Sequence, residues 1–213
     1  MKFGFFAAAA VALLVASCGD SGLPIPGTQA VEIKADDRVH GSPNAPVTIV
    51  EYASMTCPHC AAFNRDVIPQ LTKDYIDTGK VKLVFREFPL DSIATMASTV
   101  ARCFQGDQYF AFIDLLFANQ MNWIKDFDGN GMTRGDILEG LTQMASPAGM
   151  SGERVEACAF DEKTLALIDA NWNEGQKRYN VNSTPTFIIN GTRHAGGMTF
   201  DQLKQVIDPL VGG

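Results

Sequence analysis

The chain has 213 residues, 46% of them apolar, and a formal net charge of −7. That length suits one large domain or one domain carrying an insertion, and the apolar share excludes wholesale disorder. The acidic balance argues against nucleic acid as a partner, because phosphate binding needs a basic surface; the carboxylates are spread out and read as a soluble acidic face.

The first 22 residues, "MKFGFFAAAAVALLVASCGDSG", hold one lysine, an apolar run from Phe3 to Ala16, then small residues. The run is too short to span a bilayer comfortably and reads as a secretory signal. The mature chain then belongs outside the cytosol, where disulfides persist. The ending "VASC" also resembles a bacterial lipobox, in which Cys18 receives lipid; ordinary cleavage nearby is the alternative. Residues 1–18 are thus read as signal and lipobox. Residues 19–38, opening with the Gly/Pro-rich "GDSGLPIPGTQA", are read as a flexible tether.

"GSPNAP" at 41–46 is a turn cluster, and "VTIVEYA" from Val47 predicts a buried strand. From Cys57 to about Thr78, Ala61, Phe63, Val67, Ile68, Leu71 and Tyr75 recur at helical spacing. Pro58 suits a first turn, whereas Pro69 should kink the helix. "GKVKLVFREF" from Gly79 predicts the next strand, so 39–90 holds a βαβ unit with a right-handed crossover. Residues 91–178 read as helices throughout. Over 179–213, "TFIIN" is a strand, "NGT" a hairpin signal, "RHAGG" a short return strand, and "TFDQLKQVIDPL" a last helix capped by Thr199. An α/β frame split by a helical insertion results.

"MTCPHC" places Cys57 and Cys60 at a strand-to-helix junction. Unpaired N–H groups and the positive dipole end of a helix favour an anion there, so the Cys57 thiol should ionise more readily than a free one. A closed zinc site needs four ligands; this pair gives two, and His40, His59 and His194 form no ligand-spaced cluster. The pattern also matches the Met-x-Cys-x-x-Cys loop of Cu(I) carriers, but those domains are small and βαββαβ. A purely structural disulfide so short constrains little of the unfolded chain. Five cysteines make an odd count. Cys57 and Cys60 are one pair, Cys103 and Cys158 can form another within the insertion or stay as two buried thiols, and Cys18 is left over. "DFDGNGMTRGDI" at 126–137 starts like an EF-hand loop with Asp126, Asp128, Asn130 and Gly131. Its twelfth position is Ile137, so it reads better as a turn between helices. Thr184-Pro185 stands just before a strand, where a cis proline would be a deliberate feature.

Together "VEYASMTCPHC", "LVFREFPL", "LFANQMNW" and "VNSTPTFIINGTRHAGG", in this order, resemble the DsbA family of bacterial thiol–disulfide oxidoreductases. The resemblance covers roughly residues 36–210 and is strongest to the lipoprotein-like or alphaproteobacterial-type members with a second cysteine pair. It implies a thioredoxin fold interrupted by a helical domain, without a cofactor or metal. It implies that Cys57 is the exposed nucleophile and Cys60 its buried partner, that Pro58 and His59 favour the thiolate, and that Glu51 is a buried acid moving the proton of Cys60. Pro185 would be cis beside the sulfurs, and Thr184 would offer its backbone to substrate. Implied partners are reduced exported proteins and a quinone-linked membrane oxidase, in a periplasmic setting. The best-known oxidases carry valine where this chain has Thr184, as disulfide isomerases commonly do, so isomerase or reductase activity is the alternative. Family isomerases carry an N-terminal oligomerisation region; the residues after Cys18 are too few and too rich in Pro and Gly for one, which favours a monomeric oxidase.

Overall fold

The structure, a computed structural model, describes residues 31–124 and 131–212. The signal, Cys18, most of the tether and the start of the EF-hand-like stretch lie outside the described residues. β2 (Val47–Ala53) is β-branched and apolar on both sides, as a central strand must be. It runs parallel to β3 (Val81–Glu87) and antiparallel to β4 (Thr186–Ile189). β1 (Arg38–His40) and β5 (Thr192–Ala195) close the edges, giving the order β1-β3-β2-β4-β5. The crossover from β2 to β3 carries α1 (Pro58–Asp66) and α2 (Ile68–Leu71), followed by a π turn over Thr72–Ile76. One kinked helix was expected here. Instead it breaks at Val67, because Pro69 lacks an N–H and its ring crowds the carbonyl four residues back.

The insertion runs through α3 (Ser92–Arg102), α4 (Asp107–Ala118), α5 (Gln120–Trp123), α6 (Arg134–Ala145), α7 (Gly152–Ala159) and α8 (Glu162–Tyr179). Asp91, Thr133, Ser151 and Asp161 cap four of these, each accepting from a backbone N–H in the first turn. After β5 comes α9 (Phe200–Val211), held by a capping box between Thr199 and Gln202. Cys103 and Cys158 form a disulfide across 55 residues, joining the end of α3 to α7. Closing a loop that long contributes ~4 kcal/mol through the entropy of the unfolded chain. No helix among the described residues is long and apolar enough to cross a membrane.

The predicted tether over 19–38 needs correction at its end. Val31 packs against the core face that holds Val50, Tyr52 and Tyr179. Arg86, fully buried on β3, donates to the Glu32 carbonyl at 2.7 Å and pairs with Asp37 at 2.8 Å and Glu174 at 3.2 Å. Lys34 reaches Glu174 at 2.6 Å and the Asn171 side chain at 2.7 Å. Residues 31–37 are therefore a strap tied to β3 and α8. Composition gave no hint of this, since "EIKADDR" is polar and its partners lie far along the chain. Replacing Arg86 by Ala would leave Asp37 buried without its cation. We expect Arg86→Ala to cost about 3–5 kcal/mol, read as a lower urea midpoint at unchanged slope.

Candidate active site

β2 delivers the chain to the loop 54–56, and Cys57 follows as the N-cap of α1 with extended backbone (φ −78°, ψ 119°). Pro58 takes the first helical turn, where its missing N–H is harmless. No side chain caps α1, so its free N–H groups face the Cys57 sulfur. Cys57 is 5% exposed and Cys60 0%, both as free thiols. The expected exposed nucleophile is thus nearly covered, because the loop around Thr184 lies over it. The Thr184–Pro185 bond is cis, and the Cys57 thiol donates to the Thr184 carbonyl at 3.3 Å. The Thr184 hydroxyl is buried and has no hydrogen-bond partner among the described residues.

Four kinds of contact decide the charge of Cys57. A hydrogen bond from the Cys60 thiol favours the thiolate most, burial opposes it, and the nearby Thr184 side chain and the backbone N–H groups of Cys60 and His59 add to the first. Together they bring the Cys57 pKa down to about 5. His59 thus acts through its backbone, while its ring is exposed. Cys60 moves the opposite way: burial, its bond to Cys57 and the Cys57 charge hold it protonated, and Glu51 adds to this wherever it is itself ionised. Glu51 lies between Phe85 and Phe187 in the sheet register, and burial, with Cys57 and Asp114 as negative neighbours, lifts it to about 8. One sulfur is therefore an anion at neutral pH, and the acid and thiol beneath it keep their protons.

The loop under Cys57 is tied to the insertion by residues that sequence reasoning missed. The Thr56 hydroxyl donates to Asp91 at 2.6 Å, and the same carboxylate caps α3 by accepting from Ala94 N–H at 2.7 Å. Nothing local in the sequence signals the link between Asp91 and Thr56, because 35 residues separate them. The histidines stay apart, His40 on β1, His59 on α1 and His194 on β5. Among the described residues no group of three or more His, Cys, Asp or Glu is placed to hold a metal ion. Met55, from the copper-carrier pattern, is fully buried in the core shared with the insertion.

A family model described as Thioredoxin matches residues 34–209. The chain belongs to the thioredoxin family. Among its relatives, a putative protein-disulfide oxidoreductase of Rickettsia conorii is 32% identical, over 86% of this chain and 65% of its own length. The chain thus spans just under two thirds of that relative. Disulfide bond formation protein D of Bacillus subtilis is 27% identical over 82% of this chain and 77% of its own. The crystal structure of alpha-DsbA1 from Wolbachia pipientis superposes with a TM-score of 0.74 at 29% identity, covering 84% and 93% of the two chains. The thioredoxin fold interrupted by a helical insertion, its likeness to DsbA proteins and the second cysteine pair all follow the expectation.

The two shifted acids pull pH stability in opposite directions. Cys57 falls from 9.0 to about 5, so its contribution is complete above pH 9 and disappears as pH drops through 5. Glu51 rises from 4.5 to about 8, so the fold loses stability between those values as pH increases. In the reduced protein at pH 7 we expect Glu51→Gln to raise stability by up to about 3 kcal/mol. Urea melts of both proteins at pH 5, 7 and 9 check it; equal midpoints at pH 7 would show that Glu51 is not held protonated.

Proposed function

We propose that this protein is a periplasmic thiol:disulfide oxidoreductase that introduces disulfides into exported proteins through Cys57-Pro58-His59-Cys60. The observation that carries the reading is the asymmetry of the pair, a stabilised Cys57 thiolate beside a Cys60 held protonated. In the oxidised enzyme a substrate thiolate attacks the Cys57 sulfur. The Cys57–Cys60 bond breaks and Cys60 leaves with the electron pair. Glu51, which burial holds protonated, supplies its proton. A second substrate thiolate then attacks the substrate sulfur joined to Cys57, closing the substrate disulfide and expelling Cys57 as a thiolate. Two substrate thiols are oxidised and one enzyme disulfide is reduced. A stable leaving thiolate drives the exchange towards the substrate disulfide.

Thr184 and Pro185 form the wall against which an extended substrate lies, with the Thr184 backbone as its hydrogen-bonding partner. The work needs no cofactor or metal. A quinone-linked membrane protein would restore the disulfide, and a lipid on Cys18 would hold the monomer at the membrane. The Bacillus subtilis relative, named for disulfide bond formation, supports oxidase over isomerase, while Thr184 keeps isomerase as the second reading.

Cys60→Ala should accumulate mixed disulfides with reduced substrate on non-reducing gels, and Cys57→Ala none. Equal trapping by both would sink the assignment. Refolding of reduced RNase beside recovery of scrambled RNase separates oxidase from isomerase; a copper-binding module would fail both.

A further inference from the structure

The stretch 116–123, "LFANQMNW", marks the resemblance yet has no chemical role in the mechanism above. It contains α5, a single turn too short to hold its shape alone. Trp123 holds it. The side chain is fully buried, and its indole N–H donates to the Leu116 carbonyl at 2.8 Å. From the other side α6 presses so close that a Cβ on Gly140 would meet the Trp123 carbonyl at 2.7 Å. Fixed in this way, α5 points Gln120 at the active-site loop. Its Nε2 donates to the Met55 carbonyl at 2.8 Å and to the Cys57 carbonyl at 3.1 Å. One side-chain amide has two protons, one for each. The Cys57 carbonyl also accepts the first bond of α1, from Ala61 N–H at 3.1 Å.

We infer that Gln120 is a positioning residue for the exchange reaction, fixing the backbone from Met55 to Cys57, and so the sulfur, from within the helical insertion. The inference rests on the reading of Cys57 as nucleophile. Its grip has two consequences. The loop keeps the sulfur over the helix start while the disulfide opens and closes. The two amide protons also place partial positive charge beside the carbonyls nearest the sulfur, which favours the thiolate. Trp123 and Gly140 hold the turn that carries Gln120.

The test is to titrate thiolate absorbance and to equilibrate with glutathione, using wild type, Gln120→Ala and Gln120→Glu. Urea midpoints of all three report folding separately. Gln120→Ala should raise the Cys57 pKa by about half to one pH unit. It should also shift the dithiol–disulfide equilibrium towards the enzyme disulfide by up to about tenfold, or ~30 mV. Gln120→Glu nearly keeps the shape but faces two carbonyl oxygens with a carboxylate, so its pKa should rise further. Wild-type pKa and equilibrium in both variants, with only the urea midpoint lowered, would make Gln120 a structural residue and overturn the inference. A wild-type protein without a low-pKa thiol would instead remove the nucleophile reading on which it rests.

Discussion

Free N–H groups at the start of α1 attract negative charge, and the chain places the Cys57 sulfur on them. Burial works against this, for it raises the pKa of Cys57, Cys60 and Glu51 alike. Hydrogen bonds reverse it at one of the three. The Cys60 thiol, the Thr184 side chain and two backbone N–H groups all favour charge on one sulfur, and together they exceed its desolvation. Glu51 has Phe85 and Phe187 as cross-strand neighbours. A carboxyl flanked by rings keeps its proton to about pH 8, which makes it a donor at neutral pH. The same burial that would spoil a nucleophile thus makes a proton source out of the acid beside it.

What the sequence revealed was mostly local. "VTIVEYA" reads as a strand because five of its seven residues are β-branched or aromatic, and β2 occupies those residues. Thr199 reads as a cap because it stands just before the last helical run, and the structure adds a capping box with Gln202. The helices of the insertion show their periods without help from their neighbours. Hidden features depend on distance along the chain. The strap at 31–37 looks like linker until Arg86 and Glu174 are placed around it. Gln120 is one polar residue at the end of an apolar helix until Met55 and Cys57 turn their carbonyls towards it. The near burial of Cys57 follows from the Thr184 loop, 127 residues away. Of the site, its chemical types and the proline beside them could be read; the groups that hold them in place could not.

The insertion is more than an addition to a finished domain. Cys57, Cys60 and Met55 share one apolar cluster with Phe117, Trp123 and Leu141 of the insertion. Adjacent residues at the end of β3 extend the tie. Arg86 meets Asp37 and Glu174 on one face of the sheet. On the other, Glu87 accepts from Arg102 at 2.7 Å and from the Tyr109 hydroxyl at 2.6 Å. Asn171 joins the two sets, donating to Glu87 at 3.2 Å and accepting from Lys34 at 2.7 Å. Apolar residues of equal volume could match the stability of such buried pairs, because desolvation offsets most of their attraction. They would not select one orientation. A bidentate arginine–carboxylate contact fixes angle as well as distance. Carried on β3, beside the strand that delivers Cys57, these contacts set where α3, α4 and α8 stand relative to the sheet. Through α4 they set where Gln120 meets the loop, so the angle of the insertion reaches the nucleophile through a continuous series of named contacts.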